Sequence, residues 1–423
     1  MTATVPGRPA SDRFPALEGM RAIGAGFVLL THVGFQSGAA VNGAFAGILA
    51  RLDAGVALFF VVSGFLLFRP YAAAHLTGTP APDVRAYLRH RAVRILPVLW
   101  LAVVASAVLT PTSGVRWLDY LAVAGLVQIY VDGPLLHGLT QMWSLSTEVA
   151  FYLLLPLAGR LLTRGATGRG WARRTVAICL AGVPVSMAWM AGVTAAARPD
   201  WRVWLPGYLG WFGCGMALAT WQVARAHGIL HRGRVDVLLE RPGTVWALAL
   251  SLFAVVTSTV AGPYSLLEPT PGQSAVKNLG YGLIGLLAVA PAVMPGVASN
   301  RVALRMLSGR IAAFLGRISY GVFAYHVCVL VLVERLLGYS TFDGNFWERL
   351  IPAAVVSVAV ATLSFYAMER PVMRWGRRGE RTRAGAAAAP ARSGWRRTRQ
   401  AAPLPEPTAR SARTNPTARD PRR

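Results

Sequence analysis

Apolar runs long enough to cross a bilayer recur along this chain, separated by short polar stretches rich in arginine. They fall near residues 20–36, 54–73, 95–110, 143–162, 176–196, 203–223, 243–262, 278–297, 311–333 and 350–369. The pattern predicts about ten membrane-spanning helices in an all-α, polytopic helix bundle. An eleventh apolar stretch, 118–131, is short and carries Gln128 and Tyr130. It is expected to be re-entrant or interfacial. Basic loops support this count. With the N-terminus in the cytoplasm, the loops after the second, fourth, sixth and eighth spans face inward and carry most of the arginines found in loops between spans, including Arg89, Arg164, Arg232 and Arg305. The outward loops hold Asp53, Asp132, Glu268 and Asp343. If 118–131 crossed, every later basic loop would face outward. Both termini are therefore expected inside.

Composition agrees. Hydrophobic residues make up 54% of 423 residues and charged residues 14%, where soluble domains hold about 25% charged residues. The formal net charge of +25 does not require a nucleic-acid partner. Residues 376–423 alone contain thirteen arginines against three acids, with no apolar period. They read as a basic, disordered cytoplasmic tail on the anionic inner leaflet. The expected organisation is a cytoplasmic segment 1–13, a membrane domain 14–375 and the tail 376–423. No cleavable signal peptide is visible, and the first span is expected to direct insertion. Cys179, Cys214 and Cys328 all fall in spans, without metal or disulfide spacing. No metal site is expected.

Ionisable groups inside the spans mark candidate chemistry. Arg21 and His32 lie eleven positions apart in the first span, RAIGAGFVLLTHVGF. At helical rise that is roughly 16 Å, so His32 is expected near the midplane if Arg21 sits at one face. A neutral imidazole there can take a proton from a substrate. Arg91 and Arg94, three apart before the third span, share a helix face and match a phosphate in geometry and charge. Pro97 is expected in the first turns of that span. Glu148 is an acid in the apolar run QMWSLSTEVAFYLLLPL, at a depth close to that of His32. Gly55 and Gly64 would admit a neighbouring helix closely, and Ser63 would bond within the bundle. Tyr325 and His326 in the ninth span are candidates for support. Glu369 and Arg370 are expected as an interfacial ion pair that ends the last span.

Five segments, in order, resemble the acyltransferase-3 family of integral membrane O-acyltransferases. LEGMRAIG (Leu17 to Gly24) followed by His32 is similar to the family's opening run with R-x10-H spacing. Gly55 to Phe65, Arg91 to Arg94, Trp143 to Leu154 and Leu315 to His326 correspond to its later motifs. The likeness covers roughly residues 14–375. Two acids of the family pattern are replaced, by Ala57 and Val149. The variants TEVAFY and YGVFAYH look similar to actinobacterial members, including those that acylate antibiotic sugars and macrolides.

The resemblance implies O-acyl transfer from acyl-CoA, with acetyl or another short chain, to a hydroxyl on a carbohydrate, glycolipid or glycosylated natural product. It implies a multi-pass protein of a bacterial plasma membrane with acyl-CoA, a hydroxyl acceptor and lipid as partners, and neither metal nor nucleic acid. His32 would act as general base and Glu148 would orient it. Arg91, Arg94 and Arg21 would hold the phosphates, and Ser63 and Ser146 would be oxyanion donors. No extracellular SGNH-type esterase domain is expected after the last span. The alternative from another class is a membrane transporter or exporter of lipid or glycan, which would also explain intramembrane charge.

Overall fold

The structure, a computed structural model, describes residues 14–375 apart from 135, 265–266 and 295–301. The 1–13 segment and the 376–423 tail lie outside the described residues. No strand forms among the described residues. Ten helices of fifteen residues or more carry the fold: α1 (Ala16–Gln36), α2 (Gly55–Thr77), α3 (Val84–Leu109), α4 (Met142–Leu162), α5 (Gly168–Ala195), α6 (Leu209–Ala226), α7 (Pro242–Val256), α8 (Pro271–Val293), α9 (Arg310–Leu337) and α10 (Phe346–Ser364). Each coincides with one apolar run of the sequence. Among the described residues, seven are long and apolar enough to cross a membrane. The other three are α1, which carries Glu18, Arg21 and His32, the eighteen-residue α6, and the fifteen-residue α7. The stretch 118–131 yields only the eight-residue helix Trp117–Ala124. Its length is about 12 Å, too short to cross.

Boundaries follow local chemistry. Asp83 caps α3 by accepting from the Ala86 amide at 2.7 Å, and Thr270 with Gln273 forms a capping box at α8. Two corrections follow. Because α3 starts at Val84, Pro97 lies mid-helix, where its ring deprives the Val93 carbonyl of a donor. The last helix does not stop at Glu369. It passes through a π-turn, Phe365–Glu369, and runs on to 375. Arg370 lies over the Tyr366 ring at 5.7 Å, and the buried Oε1 of Glu369 has no hydrogen-bond partner, so the expected ion pair does not form.

The core is built on α2 and α6. A Cβ placed on Gly64 would meet the Phe212 carbonyl oxygen at 2.2 Å, and one on Gly55 the Gly24 carbonyl at 2.5 Å. Only glycine allows these backbones to approach so closely. Phe212 stacks on Phe60 at 4.4 Å and on Phe151 at 4.0 Å, which joins α6 to α2 and α4. Outward faces are apolar too. Trp100, Val104 and Val108 of α3 and Leu153, Leu157 and Leu161 of α4 are exposed in rows four apart. Helices apolar on both faces suit a hydrocarbon solvent, not water.

Candidate active site

Two histidines meet between α1 and α9. His326 Nε2 lies 3.3 Å from His32 Nδ1. His326 Nδ1 lies 2.8 Å from the Phe323 carbonyl and 3.1 Å from that of Val322. Carbonyls only accept, so Nδ1 carries the proton, and in the neutral ring Nε2 is then an acceptor. His32 Nδ1 also lies 2.7 Å from the Val28 carbonyl. With acceptors on both sides, His32 Nδ1 bears a shared proton, and its Nε2 lone pair is bare. His32 is half-buried and His326 is fully buried.

α1 begins at Ala16, five residues before Arg21, so His32 stands about 24 Å along the helix and about 6 Å from its far end. It lies well beyond the helix midpoint.

A cavity of about 240 Å³ opens where α1, α2, α3, α4 and α9 converge. Arg21, Arg91, Arg94, Ser63 and Glu148 line it. The three arginines thus converge from two helices, Arg21 from α1 and the others from one face of α3. Arg21 pairs with Glu18 at 3.5 Å, and Arg91 lies over the Tyr152 ring at 5.9 Å. Arg94 lines the cavity with no hydrogen bond or ion pair among the described residues. Phe59, Phe60 and Phe323 complete an apolar wall. Phe323 also lies 6.1 Å from the His326 ring, so the cavity wall adjoins the histidine pair.

Glu148 does not pair with His32. Its Oε1 accepts from the Tyr152 hydroxyl at 2.7 Å and from Ser63. The order of helices around the bundle decides this, and α9 rather than α4 reaches α1 at that level. The serines expected as oxyanion donors have committed protons. Ser63 donates to Glu148, and Ser146, buried outside the cavity wall, donates to the Met142 carbonyl at 3.3 Å. Tyr325 bonds Ser364 at 2.8 Å and ties α9 to α10. His32, Ser146, Tyr325 and His326 all stand outside the cavity wall. Tyr152 and Tyr320, neither of them among the expected site residues, do line it. Tyr152 lies one helical turn after Glu148, a spacing that signals contact.

A family model described as an acyltransferase domain matches residues 14–368. Over 386 residues the chain is 26% identical to acyltransferase MdmB of Streptomyces mycarofaciens, covering 86% of this chain and 93% of that protein. It is 21% identical over 384 residues to peptidoglycan O-acetyltransferase OatA of Listeria monocytogenes, covering 86% of this chain and 56% of that protein. A putative peptidoglycan O-acetyltransferase of Bacillus subtilis, YrhL, is 24% identical over 380 residues, 86% and 55% of the two chains. The chain thus spans just over half the length of the two peptidoglycan proteins. No solved structure matches it. A transporter reading loses its ground, since the matched family is enzymatic and the match takes in every residue that lines the arginine-rich cavity. The chain belongs to the acyltransferase-3 family and is an acyltransferase that transfers groups other than amino-acyl groups.

Proposed function

We propose that this enzyme takes an acyl group from acyl-CoA, acetyl or another short chain, and passes it to a hydroxyl on a carbohydrate, glycolipid or glycosylated natural product. It does so as a protein of a bacterial plasma membrane, with ten crossings and both termini inside. The observation that carries this reading is the convergence of Arg21, Arg91 and Arg94 on one cavity of about 240 Å³, with the bare imidazole nitrogen of His32 on an adjoining element.

The arginines bind the phosphates of CoA, each as a charge-assisted donor. Phe59, Phe60 and Phe323 give the pantetheine arm an apolar wall that excludes water. His32 Nε2 takes the proton from the acceptor hydroxyl as its oxygen attacks the thioester carbonyl. The tetrahedral adduct collapses with cleavage of the C–S bond. The imidazolium returns its proton to the departing thiolate, so an ester and free CoA thiol leave and His32 is regenerated. His326 Nε2 accepts from His32 Nδ1–H throughout and stabilises the imidazolium, the part an acid plays in a catalytic triad. Glu148 holds Tyr152 and Ser63 in place and balances the arginines of the donor cavity.

Purified protein in detergent tests this. With acetyl-CoA and no acceptor, water should serve slowly and free CoA should appear, while His32→Ala should release none. An unaltered protein that releases no CoA, or a His32→Ala variant that keeps the rate, would reject the reading.

A further inference from the structure

A second cavity, of about 310 Å³, touches the donor cavity and contains none of its charged groups. Val56 lines both, and the consecutive residues Trp143 and Ser144 divide between them. The second cavity lies at the Asp53 end of α2. One wall is aromatic. Tyr208 packs against Trp143 at 5.4 Å between ring centres and against Trp211 at 4.8 Å. The facing wall is charged. Lys277, the only lysine in the chain, donates to Asp53 Oδ2 at 2.8 Å, and the Tyr281 hydroxyl donates to Oδ1. Each Asp53 oxygen thereby keeps a second lone pair, and Lys277 keeps two N–H groups to give. Asp53 and Lys277 are both partly exposed, at 38% and 33% of their side chains.

This combination suits one class of ligand. A sugar ring is apolar on its C–H faces and dense with hydroxyls at its edge, so it needs aromatic faces on one side and fixed donors and acceptors on the other. A free acyl chain would leave Asp53 and Lys277 without use. A phosphate would meet the Asp53 carboxylate, while the cavity's two arginines are already engaged, Arg51 by the Val256 and Gly262 carbonyls and Arg202 by Glu268. The volume is at the low end of the roughly 300–1,000 Å³ that ligand cavities span, which fits a single ring. The position is apt as well. The turn Leu52–Ala54 that carries Asp53 packs on α1, whose far end carries His32.

We infer that this cavity binds the acceptor through one neutral sugar ring, with Trp143, Tyr208 and Trp211 stacking on its face and Asp53 and Lys277 holding its hydroxyls. The inference rests on the acyl-transfer reading above and adds to it the acceptor site and the residues that select it. The two cavities meeting at Val56 would bring donor and acceptor together at the start of α2.

Three probes test it: methyl α-mannoside, methyl β-glucoside and methyl N-acetyl-β-glucosaminide. Each is added to the full-length protein in detergent with acetyl-CoA, and CoA release and the acetylated glycoside are measured. At least one glycoside should accelerate CoA release saturably and yield an O-acetyl ester. Lys277→Met and Trp143→Leu should each raise its half-saturating concentration at least tenfold and move that of acetyl-CoA less than twofold, and Lys277→Arg should fall between. Glycoside binding is read separately, without acetyl-CoA, from quenching of tryptophan fluorescence that Trp143→Leu diminishes. CoA release with no saturable binding of any of the three glycosides overturns the inference and leaves the acyl-transfer reading intact. Equal shifts in both half-saturating concentrations also overturn it. Sugar binding without CoA release rejects the acyl-transfer reading and leaves this a sugar site.

Discussion

His326 Nε2 stands 3.3 Å from His32 Nδ1, and His326 Nδ1 is turned to the carbonyls of its own helix. A carbonyl cannot donate, so the backbone of α9 dictates which nitrogen of each ring carries hydrogen. One helix turn thereby sets the tautomer of a base on another helix. Replacing His326 by Phe keeps an aromatic ring and removes the acceptor. The expected result is a fall in kcat of about 10²-fold or more, the scale of positioned general-base catalysis, with KM for acetyl-CoA moved less than about twofold. His326→Gln, whose amide oxygen can accept, should recover at least about tenfold of the loss. Equal rates for the two variants, or a loss confined to KM, would show that His326 merely packs.

Arg94 faces the donor cavity with no hydrogen bond or ion pair among the described residues, while Arg91 lies over the Tyr152 ring. Removing either takes a charge from the phosphate site before any bond changes. Arg94→Ala should raise KM for acetyl-CoA by about tenfold to a hundredfold, as expected for a charge-assisted hydrogen bond of about 1.5–3 kcal/mol, with a smaller change in kcat. Arg94→Lys should recover only part, because an ammonium lacks the planar fork. Steady-state kinetics over a range of acetyl-CoA decide it, and an unchanged KM would remove Arg94 from the donor site.

The sequence carried the membrane architecture because lipid demands long apolar runs, and each of the ten runs became a helix. Helix starts were less legible. α3 opens at Val84, eleven residues before its apolar run at Ile95, because Asp83 caps a first stretch whose residues are polar but favour helix. Arg21 and Glu148 were singled out as charges inside spans and Arg91 with Arg94 as a pair matching a phosphate, and the four do share a cavity. Their neighbours were not legible, because spacing along one helix does not say which helices touch. Glu148 was expected beside His32, and the bundle put His326 there. The aromatic and charged walls of the second cavity, Asp53, Trp143, Tyr208 with Trp211 and Lys277 with Tyr281, come from four separate stretches of chain, so no local motif could announce them. Lys277, alone in a chain that otherwise uses arginine, was the one signal available.

Glu148 offers a sharp contrast to His326. It sits among three arginines and accepts from Ser63 and Tyr152 through one oxygen. Glu148→Gln preserves an acceptor oxygen and removes a negative charge from a site for a polyanion. KM for acetyl-CoA should therefore fall by about twofold to fivefold, since Coulomb repulsion between carboxylate and phosphate is relieved. The loss in kcat should stay under about tenfold. A loss near 10²-fold with unchanged KM would instead mean that Glu148 assists the base, and the role assigned to His326 would have to be shared.

Arg349 holds together the ends of the helices that bear both histidines. It is fully buried at the start of α10. Its Nε pairs with Glu334 of α9 at 3.2 Å, and its terminal nitrogens donate to the carbonyls of Gln36 at the end of α1 (3.1 Å), Ser340 (2.8 Å) and Asp343. Arg349→Ala strands the Glu334 charge and leaves three carbonyls without their donor. Breaking a buried pair in this way costs about 3–5 kcal/mol. Glu334→Gln removes the charge and leaves the three backbone bonds, so it should cost far less. Thermal unfolding in detergent should rank the stabilities as unaltered protein, then Glu334→Gln, then Arg349→Ala by a wide margin. Because α1 and α9 separate when this anchor fails, CoA release by Arg349→Ala should be lost on heating at the temperature where the fold loosens, well below that of the unaltered protein. If the two substitutions destabilise equally, the ion pair rather than the backbone clamp secures these helix ends, and the dyad does not depend on the clamp.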